Sequence, residues 1–393
     1  MVESPLPPAP EKHSDLPDLD DIPRSLERGK DALFLAAEMG SLSSSVEKGK
    51  LLGRKLWGMT KAAAQALTGG ALKSIVDATI TLSERNLVSS ETFLGLAGQP
   101  LHIERIIGFG PTSVYFTATT FYQTTYTIRL PVFPLSAGLA AGDCWRSLER
   151  EKQAVAHACG KENLNVASER RGLLIPLSVA TVDGMASETV TEYGFVLNEV
   201  TIMKPLLANL AKVLAYLPDH GADTAAAKEY TARRLLLQTL QLHEAGVSHN
   251  GLRPQSIFVD TSGGFLLAGM EAVTLYGEDL PADAELSTVY AEPQLVKEFD
   301  EYMQGGAPVK ANEKSDLWSL GVLLYEVFTG KEFKELMQEG QTFDETAASN
   351  ADIQLAIVST PPVWKDLVLR LLQTKREKRI SHSEILQEFS SLL

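Results

Sequence analysis

The chain has 393 residues, 44% hydrophobic and 22% charged, an ordinary globular composition with length for one large or two ordinary domains. A formal net charge of −14 lacks the basic footprint that nucleic-acid binding needs. No run of about 18 apolar residues offers a membrane span.

The opening MVESPLPPAPEKHSD has no apolar core, so no secretory signal is read there. Residues 1–25 are Pro-rich and acidic, with Asp15, Asp18, Asp20 and Asp21 close together, which predicts a disordered tail. Residues 26–97 alternate helical runs with Gly and Ser breaks and are expected to form a helical extension. Within it, 46–66 gathers Lys48, Lys50, Arg54, Lys55 and Lys61 around Leu51, Leu52, Leu56 and Trp57. That stretch has two readings: a basic amphipathic helix in weak contact with an acidic membrane surface, or a helix packing its apolar side on the main domain with its lysine stems solvated. Gly53 and Gly58 weaken it as an isolated helix and favour the second.

From residue 98 the pattern changes. LHIERIIGFG, SVYFTATTF and TYTIRLPVF are short, β-branched and aromatic, and read as antiparallel strands. A helix over Ser147–Ala158 follows, then the strand-like RGLLIPLSV and EYGFVLNEVTI. Cys144 and Cys159 flank that helix, and on a continuous helix they lie too far apart to bridge, so two thiols are expected. After Pro205 the chain turns helical, in TARRLLLQTLQLHEAG, SDLWSLGVLLYEVFTG and VWKDLVLRLLQT. Strands followed by helices predict an α+β domain over 98–393, with a small β-rich lobe and a larger helical lobe joined near 203–205.

The order of short motifs is more specific. GFGPTSVYFTA follows a strand; then come TIR, a glutamate-bearing helix, HNGLRPQSIFVD, LLAGME, YAEPQ, SDLWSLG and KREKRIS. This succession resembles the protein-kinase signature set and implies a bilobal kinase-like fold. In a kinase the loop His-Arg-Asp-Leu-Lys-Pro-x-Asn supplies an Asp that receives the substrate hydroxyl proton and an Asn that holds a metal ion. The resemblance puts Gly251 and Ser256 at those positions, and Gly269 at the metal-binding Asp of Asp-Phe-Gly. Glu271 follows two residues later, but a lone carboxylate falls short of the several oxygen ligands a divalent ion takes. The glycine loop keeps Gly108 and Gly110 and has Ser113 as its third position, with Pro111 removing an N–H that could face phosphate. Arg129 stands for the strand lysine and Glu151 for the helix glutamate, with Glu149 as second choice. Either Arg129 bridges Glu151 across the nucleotide site, or both face solvent. His249, Met270 and Val155 are expected to stack between the lobes, and Asp316 to hold the catalytic-loop backbone. Arg379 is expected to hydrogen-bond Gln294, taken as the end of the activation segment. The resemblance thus implies no metal, no cofactor, weak or absent ATP binding and no phosphoryl transfer.

Among kinases, LLAGME in place of Asp-Phe-Gly, the HNGLRPQSIFVD loop and the helical extension resemble the rhoptry kinase-like family of coccidian parasites of the Toxoplasma type, most of all its inactive members. That implies a secreted virulence effector, passing from the rhoptry to the parasitophorous vacuole or host cell. It implies action on protein partners, another rhoptry kinase or a host defence GTPase, as a scaffold or allosteric regulator. Alternatives are a switch that binds ATP without catalysis, and an atypical enzyme, for which Gly251, Ser256 and Gly269 leave no convergent carboxylate pair. Partner surfaces are expected at 26–90, at Ala211–Ala227 and at Gly277–Ala291. In the last, Glu278, Asp279, Asp283 and Glu285 face either a basic partner or solvent.

Overall fold

The computed structural model describes residues 16, 17, 19, 23, 26–42, 54–70, 74–85, 95–135, 141–160, 168, 170–217, 221–282, 284–337, 343 and 350–393. In the small lobe an antiparallel sheet runs β1 (Thr79–Ile80), β3 (Leu101–Phe109), β4 (Ser113–Thr120), β5 (Thr125–Pro134), β9 (Glu199–Met203), β6 (Ser178–Val182) and β2 (Leu82–Arg85). β8 (Gly194–Leu197) also pairs with β5 and carries β7 (Glu188–Val190). Two-residue alternation gives β4 two different faces. Val114, Phe116 and Ala118 join one apolar core, while Tyr115 belongs to another, shared with the hinge. The first core is closed by α2 (Arg54–Thr68), whose Met59, Ala62 and Ala63 are fully buried against it.

The larger lobe holds α4 (Leu210–Tyr216), α5 (Ala222–Glu244), α6 (Pro293–Met303), α7 (Glu313–Thr329), α8 (Asn350–Ala356), α9 (Pro362–Leu371) and α10 (His382–Glu388). α7 is apolar on nearly every side and sits at the centre, capped by Asn312 and ended by Gly330 in the left-handed conformation. Small ladders, β10 (Leu206–Asn209) with β12 (Ile257–Asp260) and β13 (Phe265–Leu267), and β11 (Val247–Ser248) with β14 (Thr274–Leu275), carry the loops that face the small lobe. The lobes join through Met203-Lys204-Pro205; Lys204 Nζ lies 2.7 Å from Asp260 Oδ2, and Leu206 N donates to Thr127 Oγ1. α3 (Ala141–Cys159) lies between the lobes, against the Met270–Ala272 turn, and buries both Cys144 and Cys159. It begins before the expected Ser147.

The extension divides between the lobes. α1 (Glu27–Leu42) packs on α5, α4 and β10, while α2 and strands β1 and β2 complete the small lobe. Gly29 lets α1 touch α5: a Cβ there would come within 2.4 Å of the Ala226 backbone. The expectation of a disordered tail over 1–25 fails at its described positions. Leu16 and Leu19 are buried in the large-lobe core, Arg234 Nη1 donates to Leu19 O, and Gln241 Nε2 donates to Pro17 O. Two apolar anchors and two buried donors on α5 outweigh the polar composition around them. Asp15, Asp18, Asp20 and Asp21 lie outside the described residues, as do 46–53 of the basic stretch. The rest of that stretch is α2, packed on the sheet, with Trp57 half-exposed edge-on to Tyr193 and under Lys61. No described helix is long and apolar enough to cross a membrane.

Candidate functional site

A cleft of about 350 Å³ separates the glycine-loop turn, Pro111 and Thr112, from Gly251, Ser256 and Gly269 of the large lobe. Its floor is held from behind by Asp316, one turn into α7 and fully buried. The Asp316 carboxylate accepts from the backbone N–H groups of His249 at 2.6 Å and Asn250 at 2.8 Å, and from Ser248 Oγ at 3.0 Å. Burial pushes its pKa up, but His243 and these donors outweigh that and hold the carboxyl below its ordinary value. Asn250 adopts φ 58°, which Asn tolerates better than most residues, and its amide donates to Ser248 O and Ala272 O. His249 is fully buried; Nε2 lies 3.0 Å from Ala268 O, and Nδ1 accepts from Gly251 N. Those partners assign the ring proton to Nε2. Met270 is buried in the large-lobe core, with Val155 of α3 packed against the same core.

The positions that face the cleft present little chemistry. Gly251 and Gly269 have no side chains, and Gly269 sits at φ 77°. Ser256 Oγ accepts from Arg253 N and lies within hydrogen-bond distance of the Arg253 and Gly251 carbonyls, so its hydroxyl is spent on closing its own turn. Glu271 is in the turn after Gly269, and its side chain lies outside what is described.

The roof is built around Arg129, buried on β5. Its Nη2 donates to Glu151 Oε2 of α3 at 2.7 Å, and its Nε donates to Ser113 Oγ at 2.7 Å. Of the two readings left open by the sequence, the bridge is the one observed, and the solvent-facing one is not. Glu149 instead lies 3.7 Å from Lys152 on the exposed side of the helix. Serine at the third glycine position and arginine at the lysine position are therefore partners, which no single-motif reading reveals.

Two further residues escaped the sequence reading. Tyr115, next to Gly108 across the β3–β4 ladder, meets Phe258 of β12 with ring centroids 4.9 Å apart. A Cβ on Gly108 would come within 3.0 Å of the Phe258 ring. The crevice among Gly110, Tyr115, Arg253, Ser256, Phe258 and Gly269 has no room for a water molecule. Its one available signal was an aromatic residue at both facing positions, SVY and IFV.

The expected Arg379–Gln294 hydrogen bond is corrected. Arg379 Nη1 lies 2.5 Å from Glu292 Oε1, Arg376 binds the same carboxylate, and Ser315 Oγ donates to it at 2.8 Å. Gln294, two residues on, is already on α6 and donates to Glu298. In YAEPQ the glutamate precedes the proline, which places the buried carboxylate two residues before Gln294. Burial raises the pKa of Glu292, but the two guanidiniums outweigh it and keep the carboxyl below its ordinary value. None of Glu292, Arg376 and Arg379 lines the cleft, and the cluster is structural. In the Gly277–Ala291 segment Asp279 pairs with Lys310 at 2.9 Å, and Asp283 lies outside the described residues.

A protein-family model described as kinase-like matches residues 88–379. The crystal structure of a Toxoplasma gondii specific rhoptry antigen kinase domain is 16% identical with a TM-score of 0.62, covering 93% of this chain and 96% of that one. The ROP2 structure from Toxoplasma gondii, described as a virulence factor with a protein-kinase fold and no enzymatic activity, is 15% identical with a TM-score of 0.62, covering 93% and 95%. These likenesses establish the fold. Among curated proteins, the serine/threonine-protein kinase AtPK1/AtPK6 of Arabidopsis thaliana is 32% identical over 107 residues, 27% of this chain and 20% of that kinase. The matched region spans about a fifth of that relative's length.

Proposed function

The chain belongs to the kinase-like family, and from that premise we propose that it is a pseudokinase, a scaffold or allosteric regulator that acts by binding protein partners without transferring phosphate. The observation that carries the reading is the closed crevice: Tyr115 and Phe258 meet where the glycine loop of a kinase covers the nucleotide. Arg129 strengthens it, because its guanidinium is already committed to Ser113 and Glu151. Phosphoryl transfer depends on positioning and on neutralising charge. Gly251 cannot receive a proton, and Gly269 and the self-bonded Ser256 give a cation poor ligands. A triphosphate entering a chain of formal charge −14 would lack that counter-charge.

The reading extends to a secreted rhoptry-type effector whose partner is another rhoptry kinase or a host defence GTPase. Its support is the fold-level likeness to the Toxoplasma rhoptry structures, one of them described as non-enzymatic. The test is a thermal-unfolding titration with ATP, with and without Mg²⁺ or Mn²⁺, beside a radiolabelled-phosphate transfer assay. No rise in melting temperature and no transfer are expected, since a ligand specific for the native state raises stability by mass action. A cation-independent rise without turnover would convert the reading to an ATP-gated switch, and a cation-dependent rise with turnover would end it.

A further inference from the structure

We propose that the chain binds one zinc-class transition-metal ion between His243, Glu313 and His382. The three residues come from three helix ends that converge beneath the catalytic-loop frame: the last turn of α5, the first residue of α7 and the first residue of α10. One ligand atom from each lies within 4.8 Å of the others. Zinc sits about 2.0–2.2 Å from nitrogen and oxygen ligands, so atoms sharing one ion stand up to roughly 4 Å apart. A side-chain closure on the order of 1 Å completes the site.

A second observation points to a ligand. His243 is 5% exposed; its Nε2 faces only the Asp316 carboxylate, beyond hydrogen-bond distance, and its Nδ1 has no hydrogen-bond partner among the described residues. Its ring stands 5.9 Å from His382 and 6.0 Å from Tyr276, whose buried hydroxyl also has no such partner. Unpaired polar atoms gathered in one buried place are costly unless something fills the gap. A metal on one ring nitrogen of His243 leaves the other protonated. Nε2, 3.6 Å from Asp316 Oδ2, is the one placed to donate. That is the carboxylate–histidine–metal arrangement in which the outer carboxylate fixes the tautomer and orients the ring.

The donor set selects the ion. Two imidazoles and one carboxylate suit zinc with a fourth position left for water. Magnesium and calcium require mostly oxygen ligands. The ion would tie the C-terminal helix to α5 and α7 and, through Asp316, to the loop that carries Gly251. This site is separate from the cleft and does not depend on the pseudokinase reading.

The experiment uses the untagged full-length chain, stripped with chelator and dialysed. Elemental analysis after zinc loading is expected to give one zinc per chain. Zinc, and not magnesium, is expected to raise the melting temperature, and cobalt to give the intense visible bands of a four-coordinate site. His382→Gln and Glu313→Gln, both at partly exposed positions, are expected to weaken zinc binding tenfold or more and to abolish those bands, with far-ultraviolet circular dichroism unchanged. Two variants keep the test decisive if one misfolds. Absence of stoichiometric zinc, or equal uptake by wild type and both variants, overturns the proposal.

Discussion

Phe258, from the large lobe, meets Tyr115, from the small lobe, with ring centroids 4.9 Å apart and planes tilted by 43°. The contact belongs to an apolar cluster with Ile107, Leu174, Met203, Leu206, Leu266 and Ala268 that runs through the hinge. Side chains of this chain thus join the lobes on one side of the cleft. On the other side Arg129 joins β4 and β5 to α3, and α3 in turn rests on the Met270–Ala272 turn. The cleft is braced by the protein's own residues.

The first prediction concerns that aromatic pair. Phe258→Ala is expected to cost about 3–5 kcal/mol, as for other large-to-small changes at fully buried aromatic positions. Tyr115→Val should cost less, and the double variant less than the sum, with a coupling of about 0.5–1.5 kcal/mol for the ring contact. Urea unfolding of the four proteins measures the cycle. Strict additivity would mean that the rings do not brace each other.

The Arg129 bridge makes a sharper case. Arg129→Ala leaves the Glu151 carboxylate buried without its guanidinium, and a loss of about 3–5 kcal/mol is expected. Arg129→Lys restores the residue type of an active kinase, yet one ammonium cannot reproduce the fork that reaches both Ser113 and Glu151. The lysine variant is therefore expected to be less stable than wild type by thermal unfolding, and Ser113→Gly to recover part of the difference within the lysine background. A lysine variant as stable as wild type would show that Ser113 is not Arg129's working partner.

Much of this architecture was legible in the sequence because it rests on local signals. Short β-branched and aromatic runs between turn residues marked β4 and β5, and the Ser-Asp-Leu-Trp stretch marked Asp316 as the buried support of the loop. What stayed hidden rests on long-range packing. Tyr115 and Phe258 lie on strands buried on both faces, where an aromatic residue reads as ordinary core. Leu16 and Leu19 were masked by the prolines and acids around them. Glu292 was passed over in favour of Gln294 because a familiar motif had been permuted by one place. The division of the extension between the lobes depends on α1 meeting α5, which nothing local announces.

That last contact is testable at Gly29. A methyl group there would stand 2.4 Å from Ala226 C and O, and backbone atoms cannot yield as a flexible side chain can. Gly29→Ala is expected to cost about 1–3 kcal/mol or more through overpacking, despite alanine's better helix propensity. Gly142→Ala, where nothing lies within 4 Å, supplies the contrast and should be neutral or slightly stabilising. Equal effects at the two positions by denaturant titration would mean that α1 does not dock on α5 as described.

Glu292 and Gln294 separate in the same way. Glu292 is fully buried and shared by Arg376 and Arg379, so Glu292→Gln is expected to destabilise by about 3–5 kcal/mol. Gln294 donates to the partly exposed Glu298 at 2.9 Å, and Gln294→Ala should fall within about 0.5 kcal/mol of wild type. Chemical denaturation of the two variants distinguishes the buried pair from the residue first expected to form it.

The final prediction follows from Glu326 on α7. It is buried, accepts from Tyr290 Oη at 3.0 Å and Phe333 N at 2.9 Å, and faces Glu332 and Lys334 nearby. Burial raises its pKa from the ordinary 4.5 to about 7, more than the two hydrogen bonds lower it. Between those values the folded chain keeps a proton that the unfolded chain has released, so the unfolded state binds fewer protons and stability falls as pH rises. Above about 7 both states are ionised and this contribution levels off. The fall is expected to total on the order of 3 kcal/mol. Glu326→Gln keeps an acceptor for Tyr290 and Phe333 without the charge. It should therefore unfold at higher urea than wild type at pH 8, with the gap closing as pH drops below the ordinary glutamate range. Comparing the two proteins cancels the other titrating groups, including His382, whose burial pulls its pKa down to about 4. A gap that stays constant across that range would show that Glu326 carries no raised pKa.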